Sequence, residues 1–300
     1  MSTEMNTEMT TGTTADAINR DLYPLHDRTD PRRQDAVTRA RAELHDDGCA
    51  VIRDIVRPDG LARLHEEIVA NLGAAHFSNQ TINPYVHTEP DSGRPERHPV
   101  NTFIERSSGF IPGDAWPPDG AMRTLFTASD LTAFIAECLE IDRLHPYADP
   151  LAGLTANILN PRQQFSWHFE THDFAVTLLI DEPDEGGLFQ YVPGVRSALD
   201  EGFDAIQPVL DGGELTDGEL GVTTLTLRPG DLQLFRGRHS LHRVTRVGPT
   251  SDPRYAAIFA YTEEPGVIGR VARTRQLFGR VLPEHYAAEE QRVRADALID

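Results

Sequence analysis

"LTANILNPRQQFSWHFETHDFAVTLLI", residues 154–180, holds three short runs, "LTANILN", "QFSWHFE" and "FAVTLLI", parted by turn residues. Short apolar runs bounded by turn signals read as strands. The same texture continues through "GLFQYV", "VTTLTLRPGDLQLF", "SLHRVTRV" and "RYAAIFAY", with "EPDEGG", "VPGVRS", "DGGELTDGEL" and "RPGD" between them. So many short strands at this spacing predict a β-sandwich or barrel, here a jelly roll over 146–265.

Within the middle run, alternate side chains share a face if the segment is extended. Ser166, His168, Glu170 and His172 then point one way, and Trp167, Phe169 and Thr171 the other. An inward face of His and Glu is costly unless water or a metal satisfies it. The bland alternative is an edge strand with that face in solvent, and His-x-Glu alone is common by chance. A second element adds weight. "LRPGDLQLFRGRHSLHRVTRV" supplies His239 and His242 after a Pro-Gly-Asp turn. Three residues apart, they cannot both face inward from one regular strand. His242 sits inside the apolar "LHRV" and is the favoured ligand; His239 follows "RGR" and reads as a turn residue. Two His and one carboxylate form the facial set that binds Fe(II) and leaves positions open for chemistry. Arg254 heads the apolar "RYAAIFAY". It is either a rim salt bridge or, beside a ferrous site, a fork that takes a carboxylate through two parallel hydrogen bonds.

Composition narrows the function classes. The chain has 300 residues, 39% hydrophobic and 25% charged, enough to bury a sizeable core. Net charge is −19, which argues against nucleic acid and anionic membranes as partners. No run is long and apolar enough to predict a membrane span, and the polar, Thr-rich N-terminus is not a secretory signal. Two cysteines, Cys49 and Cys138, make neither a disulfide framework nor a zinc cluster, and a reducing cytoplasm is the expected home. Lysine is absent, so Schiff-base and P-loop chemistry are excluded and arginine must hold any anion.

Outside the strands, "RQDAVTRARAELHDDG", "RPDGLARLHEEIVANLG" and "AMRTLFTASDLTAFIAECLEI" carry helical patterns, and "CAVIRDIV" reads as a strand. The predicted organisation is a disordered tail over 1–33 and a single domain over 34–300. That domain divides into a helical layer with lid loops (34–145), the jelly-roll core (146–265) and a C-terminal helix (266–300). Residues 74–120 read as long loops with brief extended pieces such as "VNTFIER", and the Pro/Gly-rich stretch 78–120 is long enough to serve as a lid over the barrel mouth.

"WHFETHDF", "GGLFQYVPGVR", "RPGDLQLFRGRHSLHRVT" and "PRYAAIFAY" resemble the iron(II)- and 2-oxoglutarate-dependent oxygenases, over roughly 146–265. The resemblance implies a double-stranded β-helix with iron held by His168, Glu170 and His242. It also implies Arg254 on the distal carboxylate of 2-oxoglutarate, and consumption of O₂ with release of succinate and CO₂. Within the family, "FAVTLLIDEPDEGGLFQYVP", "RGRHSLHRVT" and "RTRQLFGR" are most similar to a bacterial group of free-amino-acid hydroxylases and radical halogenases. Those halogenases replace the carboxylate ligand with Gly or Ala. Glu170 keeps one here, which favours hydroxylation, although Asp is the commoner ligand.

The substrate implied is a small molecule, amino-acid-like. His172 is a substrate contact or a residue supporting the ligands, the two readings standing level. Asn157 reaches 2-oxoglutarate or substrate, or serves only its strand. Glu105, Arg106 and Arg123 are candidate clamps from the helical layer, against the plainer reading that they are solvated. Desaturation, cyclisation or halogenation are alternative outcomes of the same chemistry. Two other classes also fit parts of the pattern. A cupin-like isomerase or hydrolase would use the ligands without Arg254, and a non-catalytic jelly-roll module would need no converging trio.

Overall fold

The computed structural model describes residues 17–290 and 298–299. It opens on helix α1 (Pro31–Asp46), strand β1 (Cys49–Ile52) and helix α2 (Pro58–Asn71). Pro31 occupies the first turn of α1, and the Asp30 side chain caps it by accepting from the Arg32 N–H. Ala36, Val37, Ala40 and Leu44 form its buried face. The chain then turns at Gly48, whose φ of 68° suits glycine. On α2 the buried face is Leu64 and Ile68, each contributing about 1.5–3 kcal/mol if fully withdrawn from water.

Two expectations for this half need correction. The tail expected over 1–33 is packed from residue 17 onward. Ala17, Ile18, Tyr23 and Leu25 are buried, Ile18 bridges to Val56, and the Tyr23 hydroxyl donates to the Arg53 carbonyl at 2.7 Å. These apolar side chains follow the Thr-rich start in sequence; residues 1–16 lie outside the described residues. The stretch 78–120 is not simply loop. It contributes to β2 (His76–Ile82) and contains β3 (Ile104–Ile111), which pair in register from His76↔Phe110 to Ile82↔Ile104. As the outermost strand, β2 has little apolar periodicity, so its sequence gave only a weak strand signal.

After α3 (Ala121–Phe126), α4 (Ser129–Leu139) and the short β4 (His145–Pro146), the chain winds between two sheets. The strands are β5 (Leu154–Leu159), β6 (Phe165–His168), β7 (Ala175–Asp181), β8 (Phe189–Val192), β9 (Thr223–Leu225), β10 (Leu232–Phe235), β11 (Leu241–Val244) and β12 (Arg254–Phe259). One sheet has the order β1-β10-β7-β12-β5-β3-β2, the other β6-β11-β8-β9, and every pairing is antiparallel. The path from β5 to β12 alternates between them except at the β8–β9 step. This is the double-stranded β-helix.

Period 2 sorts the larger sheet. Leu154, Ala156, Ile158, Val176, Leu178, Leu232, Leu234, Tyr255 and Ala257 pack outward with α1–α4 in one apolar cluster. Thr155, Asn157, Thr177, Gln233, Arg254 and Ala256 face a cavity between the sheets. Helix α5 (Phe203–Asp211), unforeseen among the loops, buries Ile206, Val209 and Leu210 against Trp167 and Leu241 behind the smaller sheet. The single C-terminal helix expected over 266–300 is instead preceded by β13 (Tyr261–Thr262) and split into α6 (Val271–Phe278) and α7 (Pro283–Glu289), with Gly279 at φ 67° after α6. Residues 291–297 and 300 lie outside the described residues. Among the described residues, no helix is long and apolar enough to cross a membrane.

Candidate metal centre

His168 ends β6, and His242 is the second residue of β11 directly opposite it in register. Between the pairs His242↔His168 and Val244↔Phe165, β6 carries one residue more than β11. This bulge turns both Phe165 and His168 into the cavity, where strict alternation would have separated them. The extended run expected through His172 stops at His168. Glu170 and His172 lie in the following loop, which is held by the backbone bonds Phe169 N–H to the Pro84 carbonyl (2.9 Å) and Glu170 N–H to the Gly237 carbonyl (3.1 Å).

One ligand atom each from His168, Glu170 and His242 lies within 4.8 Å of the others. The imidazoles are oriented by the backbone: His168 Nδ1 is 2.8 Å from the Ser166 carbonyl, and His242 Nδ1 is 3.0 Å from the Ser240 carbonyl. A carbonyl only accepts, so in the neutral ring Nδ1 carries the proton and Nε2 presents a lone pair. Both Nε2 atoms face Glu170 Oε1, at 3.7 Å from His168 and 3.3 Å from His242. Burial, reinforced by His242, pushes the His168 pKa down to about 3, so that ring is neutral near pH 7. Burial alone would raise the Glu170 carboxyl; contacts with His168 and His242 outweigh it and hold the group well below the usual carboxylate range. Lone pairs and an anion aimed at one point repel unless a cation lies between them. The donor set, two imidazoles and one carboxylate, fits Fe(II).

The trio opens into a cavity of about 350 Å³, a size suited to small molecules. Arg254, buried at the head of β12, lines its floor. Burial lowers its pKa to about 10, with Glu182 acting the other way, and among the described residues no carboxylate pairs with it. Asn157 lines the same floor and donates from Nδ2 to the Gly109 carbonyl at 3.3 Å. His172 reaches the cavity from its loop, edge-on to Tyr147 at 4.9 Å between ring centroids.

The other expected clamps are elsewhere. Glu105 is exposed on β3, where Asn79 and Arg246 contact it at 3.3 Å. Arg123 is spent on the Gly113 and Trp116 carbonyls at 2.6 and 3.3 Å. Arg106 is fully buried, but behind the cavity wall, over the rings of Phe165 at 4.4 Å and Phe110 at 5.4 Å. Nor does 78–120 cover the mouth: among the described residues of that stretch, Phe110 alone lines the cavity. His239 lies in the turn before β11, as its sequence context suggests.

Sequence reading missed Gly237 and the arginines of α6. A Cβ at Gly237 would stand 2.5 Å from Glu170 Cγ, so this glycine makes room for the long carboxylate arm. Arg270 and Arg273 line the cavity from the start of α6, which packs on β2 and β3. Their only signal was a three-residue spacing at a helix start.

Residues 120–266 match the family model described as "HalD: Halogenase D". No curated relative matches. Similar solved structures include a 2OG-Fe(II) oxygenase family oxidoreductase from Burkholderia pseudomallei, at 12% identity over 77% of this chain and 92% of that one, TM-score 0.48. The non-heme alpha ketoglutarate dependent epimerase SnoN from nogalamycin biosynthesis gives 16%, 76%, 83% and 0.49. EvdMO1 gives 16% identity over 77% of this chain and 50% of that one, TM-score 0.50. In its strand order and its His-Glu-His trio the chain resembles the iron(II)/2-oxoglutarate oxygenases, and over 120–266 it is similar to the Halogenase D family.

Proposed function

We propose that the protein is an Fe(II)/2-oxoglutarate-dependent oxygenase that hydroxylates an unactivated C–H bond of a small, free-amino-acid-like substrate. The observation that carries this reading is the convergence of His168, Glu170 and His242 on a cavity that Arg254 also lines. His168, Glu170 and His242 would hold the iron, and Arg254 the distal carboxylate of 2-oxoglutarate, with Asn157 beside it. Bound together, iron and 2-oxoglutarate supply an oxidant from O₂, with release of succinate and CO₂.

The chain's own residues hold, orient and shield. The backbone carbonyls of Ser166 and Ser240 fix the two imidazoles with Nε2 inward. Gly237 holds the Glu170 backbone and leaves space for its side chain. Phe110, Phe165, Phe189 and Phe278 give the cavity an apolar wall that excludes water from the reacting carbon. Glu170 stands where a halogenase of the resembling group would leave room for chloride, which supports hydroxylation over halogenation.

Arg254 weighs against a cupin-like isomerase or hydrolase, which has no use for a buried, uncompensated guanidinium. The test is succinate formation from 2-oxoglutarate with Fe(II) and O₂, screened against small carboxylic and amino acids. Substrate-stimulated succinate release, lost in Glu170→Ala, is expected. Metal binding with no succinate under any condition would overturn the reading.

A further inference from the structure

The cavity carries a charge imbalance that a 2-oxoglutarate site does not use up. Two guanidinium groups with no carboxylate partner among the described residues line it, Arg254 and Arg273, and among the described lining residues Glu170 is the one carboxylate. Glu170 is committed to the two histidines. The nearby Asp149 is fully buried and committed too: it accepts from the Leu151, Ala152 and Gly269 N–H groups, each at 2.8 Å, and lies 3.0 Å from His285 Nε2. Arg106, behind the wall, adds a further buried cation with no carboxylate partner among the described residues.

The two arginine ends are separate. Arg254 opens β12 opposite Leu159, whereas the segment leading into α6 is tied beyond the other end of that strand, where the Tyr147 N–H donates to the Ala260 carbonyl and the Ala148 N–H to the Val267 carbonyl. Arg273 is held in place, since its Nη1 donates to Gln276 Oε1 at 2.8 Å and α6 begins just after the Asp149–Gly269 bond. Among the described residues no carboxylate pairs with it. Next to it Leu277 and Phe278 continue the apolar wall.

On the oxygenase reading, we infer that Arg273 is a second anion site in the cavity of the metal trio, and that the substrate enters as an anion. Its carboxylate sits on α6, an apolar body lies along Leu277, Phe278 and Phe165, and no ammonium group is buried in the cavity. A buried ammonium needs an anionic partner, and the described lining residues offer none beyond the candidate metal ligand. This narrows the amino-acid-like class proposed above: an amino acid enters with its amine masked, or a plain carboxylic acid takes its place, and a free ammonium is excluded.

Calorimetric titration of the protein loaded with Mn(II) and 2-oxoglutarate, without O₂ turnover, tests this with three probes of one chain length: hexanoate, norleucine and hexylamine. Hexanoate is expected to bind, norleucine at least about tenfold more weakly, and hexylamine not at all, as follows from removing or opposing one charged hydrogen bond. Arg273→Gln should weaken hexanoate by about tenfold or more while weakening 2-oxoglutarate far less, with Arg273→Lys between wild type and Gln. Arg254→Gln should show the reverse selectivity. Hexanoate that fails to bind, binds no better than norleucine or hexylamine, or ignores Arg273→Gln overturns the inference. The probe contrast in the wild type needs no variant to fold. Failure of 2-oxoglutarate to bind the Mn(II)-loaded wild type is a separate result and strikes the oxygenase reading itself.

Discussion

The two cationic ends of the cavity are built by different means. Arg254 heads a central strand: β12 is paired on both sides, with β5 in unbroken register from Arg254↔Leu159 to Phe259↔Leu154. Its direction follows from strand period, and Ala256 repeats it. Arg273 stands on an eight-residue helix outside both sheets. Its position depends on Asp149, which joins Gly269 before α6 to His285 on α7. The sheet end is fixed by a ladder of backbone bonds, whereas the helix end is held by side chains: the buried Asp149, Gln276 Nε2 on the Val86 carbonyl at 3.1 Å and Phe278 against Phe110. That difference suits an end that receives an invariant co-substrate and an end that is free to be specialised.

Removing Asp149 attacks the helix end hardest. Asp149→Ala leaves three N–H groups and His285 without their acceptor, and unfolding should be easier by about 3–5 kcal/mol, read by denaturant melts. Amide exchange should quicken first in α6 and α7, while β5 and β12 stay protected. At the trio, Glu170→Ala should weaken Mn(II) or Fe(II) binding more than about a hundredfold, a larger loss than is usual for a residue that merely supports a ligand. Arg254→Gln should weaken 2-oxoglutarate by about ten- to a hundredfold and leave metal affinity nearly unchanged, since it removes a charged contact to the co-substrate and none of the three ligands. Gly237→Ala should lower metal affinity by about tenfold by pushing on the Glu170 arm. The smallest effect concerns the cysteines. Burial pushes the Cys49 and Cys138 thiols up to about 12, so almost no thiolate exists at pH 8 and native protein should resist iodoacetamide at both positions.

The same contrast explains what the sequence made legible. Strand period and the His-x-Glu spacing announced the inward His168 and the favoured His242, because short-range alternation fixes side-chain direction. The bulge in β6 escaped notice, since it arises from pairing with β11, and so did the end of the strand before Glu170. Glu105, Arg106 and Arg123 looked like clamps because charge in a linear sequence does not say which side of a wall a residue occupies. Arg106 lies behind Phe165, Arg123 braces two carbonyls, and Glu105 faces outward. Arg270 and Arg273 went unread because only tertiary packing brings α6 over the cavity. The packed segment from Ala17 was hidden by the Thr-rich residues before it.

Titration of 2-oxoglutarate into the Mn(II)-loaded protein tests the central claim most directly, run beside the metal-free protein and Arg254→Gln. The account predicts one equivalent bound tightly, only when metal is present, and much more weakly in Arg254→Gln. Metal held by His168, Glu170 and His242 with no binding of 2-oxoglutarate would contradict it, and would leave a metal-bearing jelly roll whose buried Arg254 serves another anion.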